Sequence, residues 1–275
     1  MGDVSTPLTI GSLFSGIGGL DLGVEHATGA RTIWQVEADP WCRCVLARHW
    51  PDTRRYDDVC KVGEELESVD IIAGGFPCQD VSVAGKRAGL VGGERSGLWR
   101  EFARIVRVVR PRFVFVENVA GLLSMEFGHV LGDLAALGYD AEWAVFRASD
   151  AGAPHRRERV FVLARRVADA GRERSQGVVC TRAAAGSVDG RGTGSRRAPP
   201  RLGGGADGLP CGLDSHRWPA GRGEAQHEWE PPRVAKGQPE RRQRLKSLGN
   251  AVVPQQAALA WRVLWRRFEM KGWVL

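Results

Sequence analysis

Asp70-Ile71-Ile72-Ala73-Gly74-Gly75-Phe76-Pro77-Cys78-Gln79-Asp80-Val81-Ser82 holds the pattern that decides how this chain folds. Asp70–Ala73 has the apolar run of a short buried strand, two glycines then open a turn, and Pro77 restricts the backbone immediately before Cys78. A structural cysteine would be buried inside an apolar element. Gly74, Gly75 and Pro77 instead point to a thiol held on a strained loop at a strand's carboxyl end, exposed in a cleft and placed for nucleophilic attack.

Outward from this strand, short apolar runs alternate with amphipathic ones from Leu8 to about Ala164, as parallel strands joined by crossover helices do. The expected strands are Leu8–Leu13, Thr32–Val36, Asp70–Ala73, Phe113–Val116, Trp143–Phe146 and Val160–Ala164. Leu98, Phe102, Ile105, Val106 and Val109 recur at helical spacing, and Asp39-Pro40 before Trp41 reads as an N-cap followed by proline at the first helical position. The expected fold is therefore α/β, a doubly wound, mostly parallel sheet. Ligands of such sheets sit beyond the carboxyl ends of the strands.

After Arg166 the texture changes, with Gly, Arg, Pro and Ser dominating to about Gln243 and no period surviving. Gly186–Gly205 has the composition of a flexible linker. The pattern recovers at Leu245–Leu248, and Pro254 to about Lys271 reads as a closing helix that buries Leu259, Val263, Leu264 and Phe268. The two flanks are expected to pack together into one catalytic unit, residues 1–165 plus 244–275, with 166–243 as a short irregular region between them.

The chain's 275 residues suffice for one sizeable core, and 43% hydrophobic content fills it. A formal net charge of +7 favours a polyanionic partner such as nucleic acid. No run approaches the roughly 18 apolar residues of a membrane span, and the first residues do not resemble a secretory leader, so a cytoplasmic protein without membrane contact is expected. The six cysteines, Cys42, Cys44, Cys60, Cys78, Cys180 and Cys211, form no C-x-x-C pair, so no metal site is expected. All but Cys78 read as small buried hydrophobes.

Several polar groups fall where strands end. Phe14-Ser15-Gly16-Ile17-Gly18-Gly19 follows the first strand as a glycine turn that lets a ligand approach the backbone. A nicotinamide fingerprint needs glycine where Asp21 stands, so another nucleoside cofactor fits better. Glu37 follows the second strand, where an acid can bind two ribose hydroxyls, and Asp58 lies near the start of the third element. Phe113–Val116 delivers Glu117 and Asn118, with apolar neighbours that would raise the carboxyl's pKa and let it donate a proton. His155-Arg156-Arg157-Glu158-Arg159 leads into the last strand, and Leu248-Gly249-Asn250-Ala251-Val252-Val253-Pro254 lies near the end.

Taken in order, these blocks resemble the C5-cytosine DNA methyltransferase family, whose motifs run F-x-G-x-G-G, G-F-P-C-Q, E-N-V, Q-x-R-x-R and G-N-x-V-x-P. The resemblance covers residues 8–165 and 245–270 and implies a class I, Rossmann-like methyltransferase fold using S-adenosylmethionine. It makes Cys78 the nucleophile that adds to C6 of a flipped-out cytosine, Glu117 the acid at N3, Asn118 the residue that fixes the loop, and Arg157 with Arg159 the holders of base and phosphate. It places Phe14, Gly16, Ile17 and Gly19 around methionine and adenosine, Glu37 on the ribose, and Asp58 with Val59 at the adenine. Pro77, Leu98, Asn250 and Ala251 complete that pocket. A mobile lid from Gln79 to about Gly97, containing Ser82, Gly85, Lys86, Gly89, Gly92 and Gly93, is implied to close over double-stranded DNA.

Target reading is implied for Arg166–Gln243, by a monomer that a cognate restriction endonuclease can accompany but need not. Two departures stand out. His155 replaces the usual glutamine, and Pro239–Leu248 stands where many relatives carry R-L-Q-G-F-P. Rival readings are an RNA C5-cytosine methyltransferase on the same fold, a non-catalytic DNA-binding relative, and a thymidylate-synthase-like enzyme acting on a free nucleotide.

Overall fold

The computed structural model describes residues 7–77, 97–124, 127–167, 218–221, 223–230, 237 and 239–272. Its elements are β1 (Thr9–Leu13), α1 (Gly19–Thr28), β2 (Arg31–Val36), α2 (Pro40–His49), β3 (Arg54–Tyr56), β4 (Ile71–Gly74), α3 (Gly97–Val109), β5 (Phe113–Val119), α4 (Phe127–Ala136), β6 (Tyr139–Phe146), β7 (Arg159–Arg166), α5 (Arg241–Asn250) and α6 (Pro254–Met270). The strands form one sheet in the order β3-β2-β1-β4-β5-β7-β6. β1 to β5 are mutually parallel, while β7 runs antiparallel to both β5 and β6. This is the doubly wound, Rossmann-like class I methyltransferase arrangement, with one strand more than the sequence patterning indicates. The extra strand is β3, three residues paired with β2 at the sheet edge.

Alternation along the strands sorts side chains onto two faces. Ile71 and Ala73, with Phe113 and Phe115, pack towards α1 and α6, whereas Ile72, Val114 and Val116 pack towards α3. Helix α6 buries Trp261, Leu264, Trp265 and Phe268 in the first of these clusters, side chains that each contribute about 2 kcal/mol of transfer free energy. Trp261 meets the rings of Phe113 and Phe115 edge-on. The closing helix thus folds back onto the start of the chain, as the patterning requires. A Cβ on Gly23 of α1 would lie 2.6 Å from Ala257 Cβ and from the Pro254 carbonyl, so a glycine lets the two helices approach.

The strand order reverses between β1 and β4, where the chain leaves β1 in one direction and enters β4 from the other. The carboxyl ends of β1, β4 and β5 therefore share one crevice. Asp39 caps α2 by accepting from the Trp41 and Cys42 amides, with Pro40 in the first turn, as expected. Of the described cysteines only Cys42 is buried. Cys44 and Cys60 are exposed, which corrects the expectation that both are small core residues. Cys78, Cys180, Cys211, the lid residues 79–96 and the linker-like stretch Gly186–Gly205 lie outside the described residues.

Candidate active site

The turn after β1 is built from left-handed backbone. Phe14 has φ 54°, Gly16 57° and Gly18 83°, and a side chain at Gly19 would collide with the Val252 carbonyl. Only glycine adopts such angles without strain, so the spacing of these residues fixes the turn. Glu37, at the end of β2, locks it: one carboxylate oxygen accepts the Gly16 amide at 2.7 Å and the other the Asp39 amide at 2.8 Å. Beneath the turn, Asp21 is fully buried and accepts from Ser12 Oγ at 2.6 Å and Gln35 Nε2 at 2.8 Å. Burial drives its pKa up to about 6 despite those two donors.

A cavity of about 50 Å³ lies in the crevice, lined by Phe14, Gly16, Ile17 and Gly19 from this turn, Gly75 just after β4, Glu117 on β5, and Asn250 and Ala251 from the other end of the chain. Six of the residues expected around the cofactor thus converge on one space. Val59 is buried, and its carbonyl accepts Arg104 Nη2 at 2.8 Å. Asp58 accepts the Cys60 amide and pairs with Lys61 at 3.3 Å, which lowers its pKa. Leu98, in the first turn of α3, packs against the core, and Pro77 is exposed. Glu37, Asp58, Val59, Pro77 and Leu98 do not line the cavity, although Glu37 is bonded to the Gly16 amide that does.

β5 carries the most perturbed carboxyl of the crevice. The strand continues through Val119 because β7 pairs with it along its full length, so Glu117 and Asn118 sit within a rigid ladder and not on a loop after it. Glu117 Oε1 lies 2.9 Å from Arg159 Nε, and both side chains are largely buried. Burial pushes the Glu117 pKa up to about 7, outweighing the opposing pull of Arg159 and Arg157. Both protonation states are accessible near neutrality. Asn118 Nδ2 donates to the Phe76 carbonyl at 3.1 Å, tying β5 to the segment that runs into Cys78.

Arg157, at φ 33°, sits close enough for its charge to act on this pair, but its hydrogen bonds go elsewhere. Its Nη2 donates to the Gly249 and Ala251 carbonyls at 2.9 and 2.6 Å. These donors fasten the C-terminal segment to the site, and Arg157 lines one groove with Arg159. Arg156 and Glu158 form an exposed ion pair beside it. His155 meets Trp218 edge-on, and Trp218 donates to the Ala151 carbonyl at 3.1 Å. Trp218 is not singled out by sequence reading, and Asp21 is noted there only as the residue that excludes a nicotinamide fingerprint. Asp21 does share the buried stripe of α1 with Val24 and Ala27, and that polar residue on an apolar stripe was the available signal.

The sequence model of C-5 cytosine-specific DNA methylases matches residues 8–175, more than half of the chain. The chain belongs to this family. It is 40% identical over 164 residues to the Type II methyltransferase M2.BsuMI of Bacillus subtilis, an alignment covering 56% of the chain and 41% of that protein. Over 178 residues it is 35% identical to the Type II methyltransferase M.AquIA of a Picosynechococcus, covering 57% of the chain and 71% of that protein. Among solved structures it is similar to the methyltransferase EhMeth of Entamoeba histolytica, with TM-score 0.49, 18% identity and coverage of 62% and 56% of the two chains. The matched part spans about two fifths of the length of the first curated relatives. Among the described residues no helix of this DNA methylase family member is long and apolar enough to cross a membrane.

Proposed function

We propose that the chain is a DNA (cytosine-5-)-methyltransferase that moves a methyl group from S-adenosylmethionine to C5 of a cytosine swung out of double-stranded DNA, through a transient bond between Cys78 sulfur and C6. One observation carries the reading: a buried carboxyl, Glu117, held by Arg159 and titrating near neutrality at the strand end facing the glycine turn. A solvated structural acid has no need of such a pKa, whereas a proton donor to a ring nitrogen does.

The residues of the turn fit the cofactor. Nothing lies within 4 Å of where a Cβ of Gly16 would be, which leaves room against the backbone, and the Glu37 oxygens keep lone pairs for two hydroxyls. When bound, S-adenosylmethionine supplies an electrophilic methyl on a positively charged sulfur. C5 of cytosine is a poor nucleophile until a thiolate adds at C6, and Cys78, directly after Pro77, supplies that thiolate. Glu117 donates its proton to N3 as the sulfur adds, which neutralises the charge accumulating on the ring. Arg159 then stabilises the carboxylate that remains. A base removes the C5 proton, the Cys78 sulfur leaves as thiolate and the N3 proton returns to Glu117, restoring the neutral aromatic ring and the starting acid.

Residues 1–165 with 244–275 form the catalytic unit in this reading, and 166–243 read the target. The enzyme acts as a monomer, with a companion restriction endonuclease an optional partner. The test offers labelled methyl donor with duplex DNA and, separately, with transfer RNA. Label in duplex cytosines, lost in Cys78→Ala, supports the reading. Label confined to RNA contradicts it.

A further inference from the structure

Helix α5 is an unusual helix for a protein body. Of its ten residues, Arg241–Asn250, only Ser247 is buried, while Leu245 and Leu248 are 54% and 64% exposed. Arg241, Leu245 and Leu248 follow the four- and three-residue steps that put side chains on one face. Four basic residues, Arg241, Arg242, Arg244 and Lys246, fall within six positions without an acid among them. The first turn is basic, against the positive end of the helix dipole, and the N-cap Glu240 has φ 58° and no side-chain cap bond. Stability alone would favour the opposite charges.

The helix is nonetheless held firmly. Lys246 pairs with Asp39 at 2.8 Å, Arg244 stacks over Trp41, and Arg157 grips the Gly249 and Ala251 carbonyls. Arg241 and Arg242 are exposed and, among the described residues, have no hydrogen-bond or ion-pair partner. Leu248 also lines a groove of about 1120 Å³ whose wall includes Arg159, the partner of Glu117, together with Arg157, His155 and Trp218. A rigid face offering free guanidinium groups and exposed aliphatic carbon beside that groove matches alternating phosphates and sugars.

We propose that α5 docks the phosphate backbone of duplex DNA beside the target nucleotide, with Arg241 and Arg242 as the phosphate contacts. The inference rests on the DNA-methyltransferase reading above and deepens it, placing a phosphate-docking helix across the carboxyl-terminal edge of the region expected to read the target, where 166–243 meets the catalytic unit. It assigns no base specificity to the helix.

The test measures the affinity of the full chain for duplex DNA across a series of salt concentrations. Losing two phosphate contacts in Arg241→Ala/Arg242→Ala makes the slope of log K against log salt shallower by about 1.8 and weakens binding at low salt by about tenfold or more. Arg241→Lys/Arg242→Lys retains the slope, because the charge at each phosphate remains. Arg241→Glu/Arg242→Glu suits the helix dipole and keeps or raises thermal stability, yet loses still more affinity, an outcome a merely structural role does not give. Unchanged slopes in both the alanine and glutamate variants of a chain that binds DNA overturn the proposal. A wild-type chain that retains structured RNA but not duplex DNA overturns the substrate reading and this surface with it.

Discussion

Asn118 Nδ2 donates to the Phe76 carbonyl at 3.1 Å, so the strand that carries Glu117 also clamps the backbone two residues before Cys78. The same side chain accepts the Val119 amide at 2.8 Å, which fixes its orientation. In the proposed mechanism, the acid and the segment that leads into the nucleophile are thereby referenced to one ladder.

Replacing Asn118 by alanine removes that reference and leaves a buried carbonyl unpaired, at a cost of about 1–3 kcal/mol. Turnover is expected to fall tenfold or more while cofactor affinity changes little, because Asn118 does not line the turn cavity. Parallel measurement of kcat and of the cofactor dissociation constant checks this. Equal losses in both would point to a general loosening of the sheet.

Glu117 predicts a pH dependence. Its folded pKa is raised from 4.5 to about 7, so the protonated donor disappears as pH rises through 7, and kcat/KM is expected to decline on a limb centred there. In Glu117→Gln that limb vanishes and the remaining rate is at least a hundredfold lower. The stability contribution has the same sign: it is complete below about 4.5 and lost as pH rises through 7, and denaturant titrations of the two proteins should converge at acid pH.

Gly75 faces Glu117 so closely that a Cβ there would sit 2.7 Å from Oε2. Gly75→Ala is expected to push the carboxyl away from Arg159 and to lower turnover more than tenfold with a nearly unchanged melting temperature. Full activity in this variant would show that the carboxyl tolerates displacement and weaken its assignment as donor.

Asp21 lies beneath the glycine turn with a pKa raised from 3.8 to about 6. A raised carboxyl pKa means stability is greatest below about 4 and is lost as pH rises through 6, on the order of 3 kcal/mol for this group. Asp21→Asn removes the ionisation, so its unfolding free energy should be flatter between about pH 4 and 6. An unchanged profile would mean the carboxylate is solvated by opening of the turn.

Much of this was legible from residue order. β1, β2, β4 and β7 are marked by apolar runs, and the cap Asp39-Pro40 is local chemistry that tertiary contacts did not override. β3 was not legible because Arg54-Arg55-Tyr56 has no apolar alternation and exists as a strand only through its pairing with β2. The extension of β5 through Glu117 and Asn118 depends on antiparallel β7, a long-range pairing that no local pattern encodes. Helix α5 was marked only by the recovery of pattern at Leu245–Leu248, because a helix with one buried side chain has little apolar stripe to read. The direction of Arg157 towards the Gly249 and Ala251 carbonyls likewise depends on how the two ends of the chain meet.

The central claim is a bond between the Cys78 sulfur and C6 of cytosine, and a mechanism-based trap tests it most directly. Fluorine at C5 of the target cytosine cannot leave as a cation, so once C5 has been methylated the elimination of sulfur stalls, with enzyme and DNA joined. The account predicts a denaturation-resistant, cofactor-dependent adduct whose peptide map places the ring on Cys78, and none in Cys78→Ala. An adduct on another residue, or undiminished methylation by Cys78→Ala, would contradict it.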